Sequence, residues 1–159
     1  MRDGLKSDAP KDWKVGPGSN EMRVLEAKLA KAEGDADDAE LVVFFFGKGG
    51  GGGVADNIKR WKGQVVPPEG KTADDISKVT DFKVGDKVKA TYLNMQAGTY
   101  AAKARPVDPK SPTTQNKNYR LLGVVFESDG GPFFIKVTGP AKTIEKHEKA
   151  FEAWVKNFK

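Results

Sequence analysis

Three polar residues that follow a run of glycines have a spacing suited to binding a ligand. Asn57, Arg60 and Gln64 lie three and four residues apart, so on a helix they would share one side. The glycines before them, which include Gly52 and Gly53, would leave the start of that helix exposed. We take these five residues as the candidate ligand-binding site. The simpler interpretation of the same spacing is a solvated helix face, on which the Arg60 stem covers apolar surface.

The glycine run at residues 47–53 also suggests a phosphate site. It contains Gly-x-Gly-x-x-Gly at positions 47, 49 and 52, with Asp74 about twenty residues further on, as in a dinucleotide fingerprint. Glycine lets backbone amides approach a pyrophosphate, and a helix start attracts anions. The fingerprint also requires a parallel strand that ends at the acidic residue, whereas Asp74 precedes a predicted strand. We therefore predict a flexible connection and keep a phosphate or nucleotide site as the alternative.

The remaining residues do not assemble into a catalytic or metal site. The absence of Cys excludes thiolate metal sites, disulfides and thiol nucleophiles, and the single His147 excludes a multi-histidine site. His147 falls on or beside the apolar stripe of a predicted helix, where packing is commoner than catalysis. The acidic segment 35–40 lacks the glycine and glutamate of a calcium-binding loop. We expect no cofactor and no metal, and we favour a non-enzymatic protein.

The charge of the chain says little about its partners. There are 27 Lys and Arg against 22 Asp and Glu, a net charge of +5. Basic residues between positions 83 and 120 are interleaved with Tyr92, Tyr100 and Tyr119, as in an RNA-binding strand with stacking aromatics. A basic sheet edge explains the same pattern, and no RNA-binding motif accompanies it. We therefore expect a protein or small-molecule ligand rather than nucleic acid.

Neither a membrane span nor an export signal is visible. The longest apolar run, residues 41–46, is far shorter than the ~18 residues a span requires. Residues 1–10 are polar and lack the apolar core of a signal peptide. Either the protein stays in the cytoplasm or the chain begins after a removed export signal.

Apolar patterning predicts two helices, at residues 54–64 and 140–158. Segments 40–46 and 119–127 are apolar on both faces, which is typical of central strands. We expect residues 41–46 and 121–126 to lie side by side in one sheet, covered by the helices that carry Trp61 and Trp154. The other predicted strands are segments 76–84 and 87–95, which form a hairpin, and 133–138.

Three further segments are less regular. Residues 104–118 contain three prolines within a polar stretch and predict a long loop. Residues 1–20 predict an extended arm held by Trp13, ahead of a single domain at 21–159. Segment 20–33 has helical propensity, although its residues also alternate as in a strand.

Residues 52–64, Gly-Gly-x-x-x-Asn-x-x-Arg-Trp-x-Gly-Gln, resemble a family of bacterial, mostly exported proteins of unknown function. Supporting similarity lies at Trp13, at Met22-Arg23, and at segments 118–123, 131–134 and 138–143. The order of elements also resembles the fold shared by the PsbP photosystem subunit and the Mog-type Ran-release factor.

This resemblance implies an α+β fold with a single, largely antiparallel sheet of about six strands and helices packed on its faces. It implies that segment 20–33 is a strand paired with 40–46, against its helical propensity. It also implies a periplasmic or lipoprotein-like accessory domain of the cell envelope, without catalytic residues.

Overall fold

The computed structural model describes residues 6–103 and 109–159. Nine strands occur among them. They are β1 (Trp13–Pro17), β2 (Arg23–Leu29), β3 (Ala39–Phe45), β4 (Val65–Val66), β5 (Ser77–Val84), β6 (Val88–Met95), β7 (Gly98–Lys103), β8 (Thr113–Ser128) and β9 (Gly131–Pro140). The helices are α1 (Val54–Lys62) and α2 (Ala141–Lys156).

The strands form one sheet in the order β1-β2-β3-β9-β8-β6-β5, and every pair is antiparallel. The longest strand, β8, has sixteen residues and pairs with three strands, β6, β7 and β9. The C-terminal half of β8 pairs with β6, and its N-terminal half pairs with β7, which in turn pairs with β4. The α+β class and the largely antiparallel sheet are therefore confirmed.

The helices pack on opposite faces of the sheet. On one face, Ile144, Phe151 and Trp154 of α2 join a large core with residues of β3, β8 and β9. On the other face, Ile58 and Trp61 of α1 join a smaller core over β6, β8 and β9. Alternate residues of each strand point to opposite faces, so each apolar strand contributes to both cores.

The position of α1 depends on a close approach to the sheet. Trp61 lies directly on Gly123 of β8, where an added Cβ would be 2.4 Å from the indole ring. Only glycine permits this contact without a shift of the helix. The contact holds α1 over β8, next to Lys136, the β9 residue that pairs with Gly123.

The predicted number of about six strands is wrong, since the sheet has nine. The three strands that the sequence did not predict are β1, β4 and β7. Part of the predicted loop 104–118 is also strand, because β8 begins at Thr113; residues 104–108 lie outside the described residues. Within the predicted arm, Trp13–Pro17 forms the edge strand β1.

The predicted neighbours within the sheet also differ. Segments 41–46 and 121–126 are not adjacent, because β9 lies between β3 and β8 and pairs with both. Arg23–Leu29 is a strand paired with β3, as the resemblance implied and against helical propensity. Pairing and burial, which leave Ala27 and Leu29 inside the larger core, decide the conformation here.

Candidate functional site

Asn57 is the structural centre of the polar cluster on α1. Its side chain is buried, and its amide donates hydrogen bonds to the carbonyls of Gly51 (2.7 Å) and Gly53 (2.9 Å). Its Oδ1 accepts a hydrogen bond from Nη2 of Arg60 at 2.6 Å. Asn57 therefore fixes the glycine loop on one side and aims the Arg60 guanidinium on the other.

The glycine loop has a specific backbone path. Four of its glycines adopt positive φ angles between 77° and 82°. Gly51 also lies against aromatic rings, since an added Cβ would be 2.5 Å from Phe134. The segment predicted as a flexible connection packs on the sheet at Gly51 and is hydrogen-bonded by Asn57. It leads into α1 through Gly53, which provides no side-chain cap.

Gln64 contacts a lysine that the sequence did not single out. Lys136 of β9 donates from its ammonium to Oε1 of Gln64 and to the hydroxyl of Tyr100 at 2.9 Å. The same ammonium lies 5.0 Å from the centroid of the Tyr100 ring. Gln64 and Tyr100 thus hold the Lys136 amine beside α1.

The surroundings of Lys136 disfavour its charge. Burial, together with the nearby charges of Arg60 and Arg23, lowers the pKa of Lys136 to about 8. Among the described residues, no carboxylate lies within ion-pair distance of Lys136 or Arg60. Arg23 differs, because it pairs with Glu26 at 3.0 Å and lies over the Phe44 ring.

These side chains border the part of the sheet that α1 leaves uncovered. We call the group formed by Arg23, Arg60, Gln64, Tyr100 and Lys136 the basic cleft. The open sheet surface beside it carries one groove of about 240 Å³ across β1, β2 and β3. A second groove of about 520 Å³ runs towards β7 and β8 and is also lined by Tyr100. The first groove therefore reaches the basic cleft at Arg23 and the second at Tyr100, and Lys136, Arg60 and Gln64 line neither of them.

The structure brings together part of the predicted site. Gln64 contacts Lys136, and the exposed Arg60 lies near enough for its charge to lower the Lys136 pKa, whereas Asn57 points inward and acts through Arg60. Gly52 and Gly53 belong to the loop that Asn57 holds. Sequence reasoning did not place Arg23, Tyr100 or Lys136 in this site, although it named Tyr100 among the aromatics of a possible RNA-binding strand. A signal for Lys136 was available, since it is the single charged residue in the apolar run 133–137.

His147 and the acidic segment 35–40 have structural partners. Nδ1 of His147 accepts from the Trp13 indole at 3.3 Å, and its Nε2 lies 2.7 Å from the Ala30 carbonyl, which suits the neutral ring protonated at Nε2. Asp35 accepts from the Thr143 amide and hydroxyl at the start of α2. Among the described residues, no group of three His, Cys, Asp or Glu is placed to hold a metal ion.

The three tyrosines of the basic region do not form one stacking surface. Tyr92 is buried on the α2 face, where its hydroxyl donates to Glu152. Tyr100 and Tyr119 are on the opposite face, with their rings parallel and 6.4 Å apart. Arg120 is buried against Glu148. Within the described residues, no helix has the length and apolar character to cross a membrane.

Comparisons with known proteins support the fold alone. No protein-family model matches the chain, and the search of curated proteins finds no match. Among solved structures, the chain is similar to the solution structure of cyanobacterial PsbP (CyanoP) from Synechocystis sp. PCC 6803. The TM-score is 0.53 at 9% sequence identity, over 100% of this chain and 88% of CyanoP. The fold is therefore PsbP-like.

Proposed function

We propose that the protein is a non-catalytic binding domain whose ligand or partner docks in the basic cleft. One observation carries this proposal: Lys136 is held in a partly buried position beside Arg60, and among the described residues no carboxylate lies within ion-pair distance of either side chain. A cation placed against its own solvation preference is characteristic of functional sites. The positions of Asn57 and Gln64 support the proposal, because both orient a cation instead of neutralising it.

The same geometry favours binding over catalysis. Lys136 and Tyr100 could exchange a proton, but no second titratable group is described within hydrogen-bond reach of the Lys136 amine. His147, the only imidazole in the chain, lies on the α2 face with both nitrogens engaged. Acid–base or nucleophilic chemistry requires such groups to converge on one reacting atom.

We further propose that the domain is an accessory component of the bacterial cell envelope. The support is the sequence resemblance of segment 52–64 to mostly exported proteins, together with the PsbP-like fold. Fractionation of the native host with an antibody to this chain tests the location. Recovery in the envelope fraction would support the proposal, and recovery in the cytoplasmic fraction would contradict it.

Mapping of bound ligands by two-dimensional NMR tests the binding site. We expect some members of a metabolite and peptide library to shift backbone amide signals of α1, β7 and β9. The double variant Arg60→Ala, Gln64→Ala should lose these shifts, whereas Lys59→Ala, an exposed position on the same helix, should retain them. Shifts confined to the α2 face, or turnover of a library member, would contradict the proposed function.

The alternative, a phosphate or nucleotide site in the glycine loop, is distinguished by the same measurement. Its support is the series of positive φ angles and the start of α1, which lacks a side-chain cap. A nucleotide bound there would shift amides 49–56 and would not require Lys136. A saturating nucleotide would also raise the melting temperature through linkage.

A further inference from the structure

We infer that the group bound in the basic cleft is a phosphate-type dianion, held between Lys136 and Arg60. This inference rests on the proposed function and specifies the chemistry of its ligand. It places the anion on side chains of α1 and β9 rather than on the backbone of the glycine loop.

The first argument is the supply of hydrogen-bond donors. A lysine ammonium has three N–H groups, of which two are used for Gln64 and Tyr100. Arg60 has five N–H groups, of which one is used for Asn57. Gln64 receives its hydrogen bond on oxygen, so its N–H groups are left to donate, whereas the Tyr100 hydroxyl is also hydrogen-bonded to the side chain of Thr138. The side-chain groups of these residues that remain available to a ligand are therefore mainly hydrogen-bond donors. This suits a ligand that only accepts hydrogen bonds.

The second argument is charge. Lys136 and Arg60 together carry two positive charges that no described carboxylate compensates. A dianion balances both, whereas a single carboxylate leaves one positive charge uncompensated. A third cation, the guanidinium of Arg23, is close enough to act on the Lys136 amine but is already paired with Glu26. Phosphate oxygens also match the geometry of an arginine fork.

The third argument is preorganisation. The Asn57 amide is fixed by two glycine-loop carbonyls and in turn aims Arg60, and Gln64 and Tyr100 fix Lys136. Holding the donors in place before binding reduces the ordering that the ligand must impose. The conspicuous glycine loop therefore has a role in the site without contacting the anion.

Titration calorimetry tests this inference with inorganic phosphate, glycerol 3-phosphate, sulfate and succinate as separate probes. We expect saturable binding of a phosphate probe with Kd below about 1 mM. Lys136→Gln and Arg60→Gln should each weaken it about tenfold or more, because each removes a charge-assisted hydrogen bond. Lys59→Gln, which removes an exposed charge from the same helix, should change Kd less than about twofold.

The pH dependence gives an independent readout. Arg60 on α1, Tyr100 on β7, Arg23 on β2 and Glu40 on β3 surround the Lys136 amine or its tyrosine partner. From β8 come Gly123, which pairs with Lys136, and Tyr119, whose ring stacks on Tyr100 and whose pKa burial raises to about 12. Burial raises the pKa of Tyr100, so Lys136 is the group that titrates between pH 7.5 and pH 9. Affinity for sulfate, which does not titrate there, should fall as pH rises through about 8. Lys136→Gln should abolish this fall.

The outcomes separate the inference from the proposed function. Tighter binding of glycerol 3-phosphate than of inorganic phosphate identifies an ester, and the reverse identifies the free anion; both support the inference. Saturation by succinate but not by phosphate or sulfate overturns it and leaves the binding domain intact. Phosphate binding that Lys136→Gln does not weaken, with shifts at amides 49–56, overturns it in favour of the loop. If no probe and no library member binds the cleft, both proposals fail.

Discussion

The position of Lys136 in the sheet lowers the free energy of unfolding of the protein. Its pKa is lowered from 10.5 to about 8, so the folded state disfavours the charge that the unfolded chain carries freely. The full shift would correspond to about 3 kcal/mol, and we reduce this to about 1–2 kcal/mol because the amine is partly exposed to solvent. Such a cost is expected where a residue is retained for binding rather than for folding.

Lys136→Met is therefore expected to stabilise the protein at pH 7 by about 1–2 kcal/mol, measured by chemical denaturation. Between pH 8 and pH 10.5 the unfolded chain binds more protons than the folded one, so the stability of the parent protein rises relative to the variant. The gain from the substitution should shrink over that range. The exposed Lys59→Met serves as the control, for which we expect no such trend; a destabilised Lys136→Met would show that the amine supports the fold.

The candidate site was only half accessible to sequence reasoning at the level of single residues. Helical spacing identified Asn57, Arg60 and Gln64, because a regular helix turns local spacing into spatial proximity. It did not distinguish Asn57, which points inward, from Arg60, which points outward. Lys136 and Tyr100 join the site through non-local strand pairing, which spacing along the chain does not encode.

At the scale of elements, a polar network joins α2 to the sheet. Arg120 of β8 donates to Glu148 of α2 (3.1 Å), to Asn94 of β6 (2.8 Å) and to the Met95 carbonyl (2.9 Å). The Asn94 amide also donates to Glu148, at 2.6 Å. Burial raises the pKa of Glu148, but the hydrogen bonds from Arg120 and Asn94 outweigh it, and the net pKa is lowered. The network fixes the helix on the sheet and gives the buried guanidinium its counter-charge.

Glu148→Gln is expected to lower the free energy of unfolding by about 2–4 kcal/mol at pH 7, because it leaves the charge of the buried Arg120 uncompensated. The pKa of Glu148 is lowered in the folded state, so its contribution is complete above the ordinary value of 4.5 and is lost as pH falls further. The difference in unfolding free energy between parent and variant should therefore be full at pH 7 and smaller at pH 3. Glu145→Gln, exposed on the same helix, should differ little from the parent at either pH.

Elements with long, regular apolar patterns were predictable, and short ones were not. Both helices and the strands around segments 41–46, 121–126 and 133–138 were predicted from apolar residues on one or both faces of the element. β4 has two residues, and β1 and β7 contain glycine or proline among polar residues, so their strand character depends on their partners. The order β3-β9-β8 was also missed, since apolar strands of similar composition do not specify which of them is central.

At the scale of the molecule, the beginning and the end of the described chain meet on the α2 face. Lys6 and Lys159 exchange two backbone hydrogen bonds of 3.0 Å, and Ser7 donates to the Trp154 carbonyl. Trp13 is buried, lies edge-on to Trp154 with ring centroids 5.5 Å apart, and donates to His147. The segment predicted as an arm thus contributes a large side chain to the main core.

Trp13→Ala tests whether this segment is part of one cooperative unit. Loss of the buried indole should lower the free energy of unfolding by about 3–5 kcal/mol, and Val15→Ala, exposed on the same strand, should lower it by less than about 1 kcal/mol. The two cores share the strands of one sheet, so we expect a single transition in which hydrogen exchange also accelerates around Trp61 on the opposite face. Faster exchange confined to β1 and its neighbours would instead make residues 6–17 a peripheral arm, separable from a domain that is stable without them.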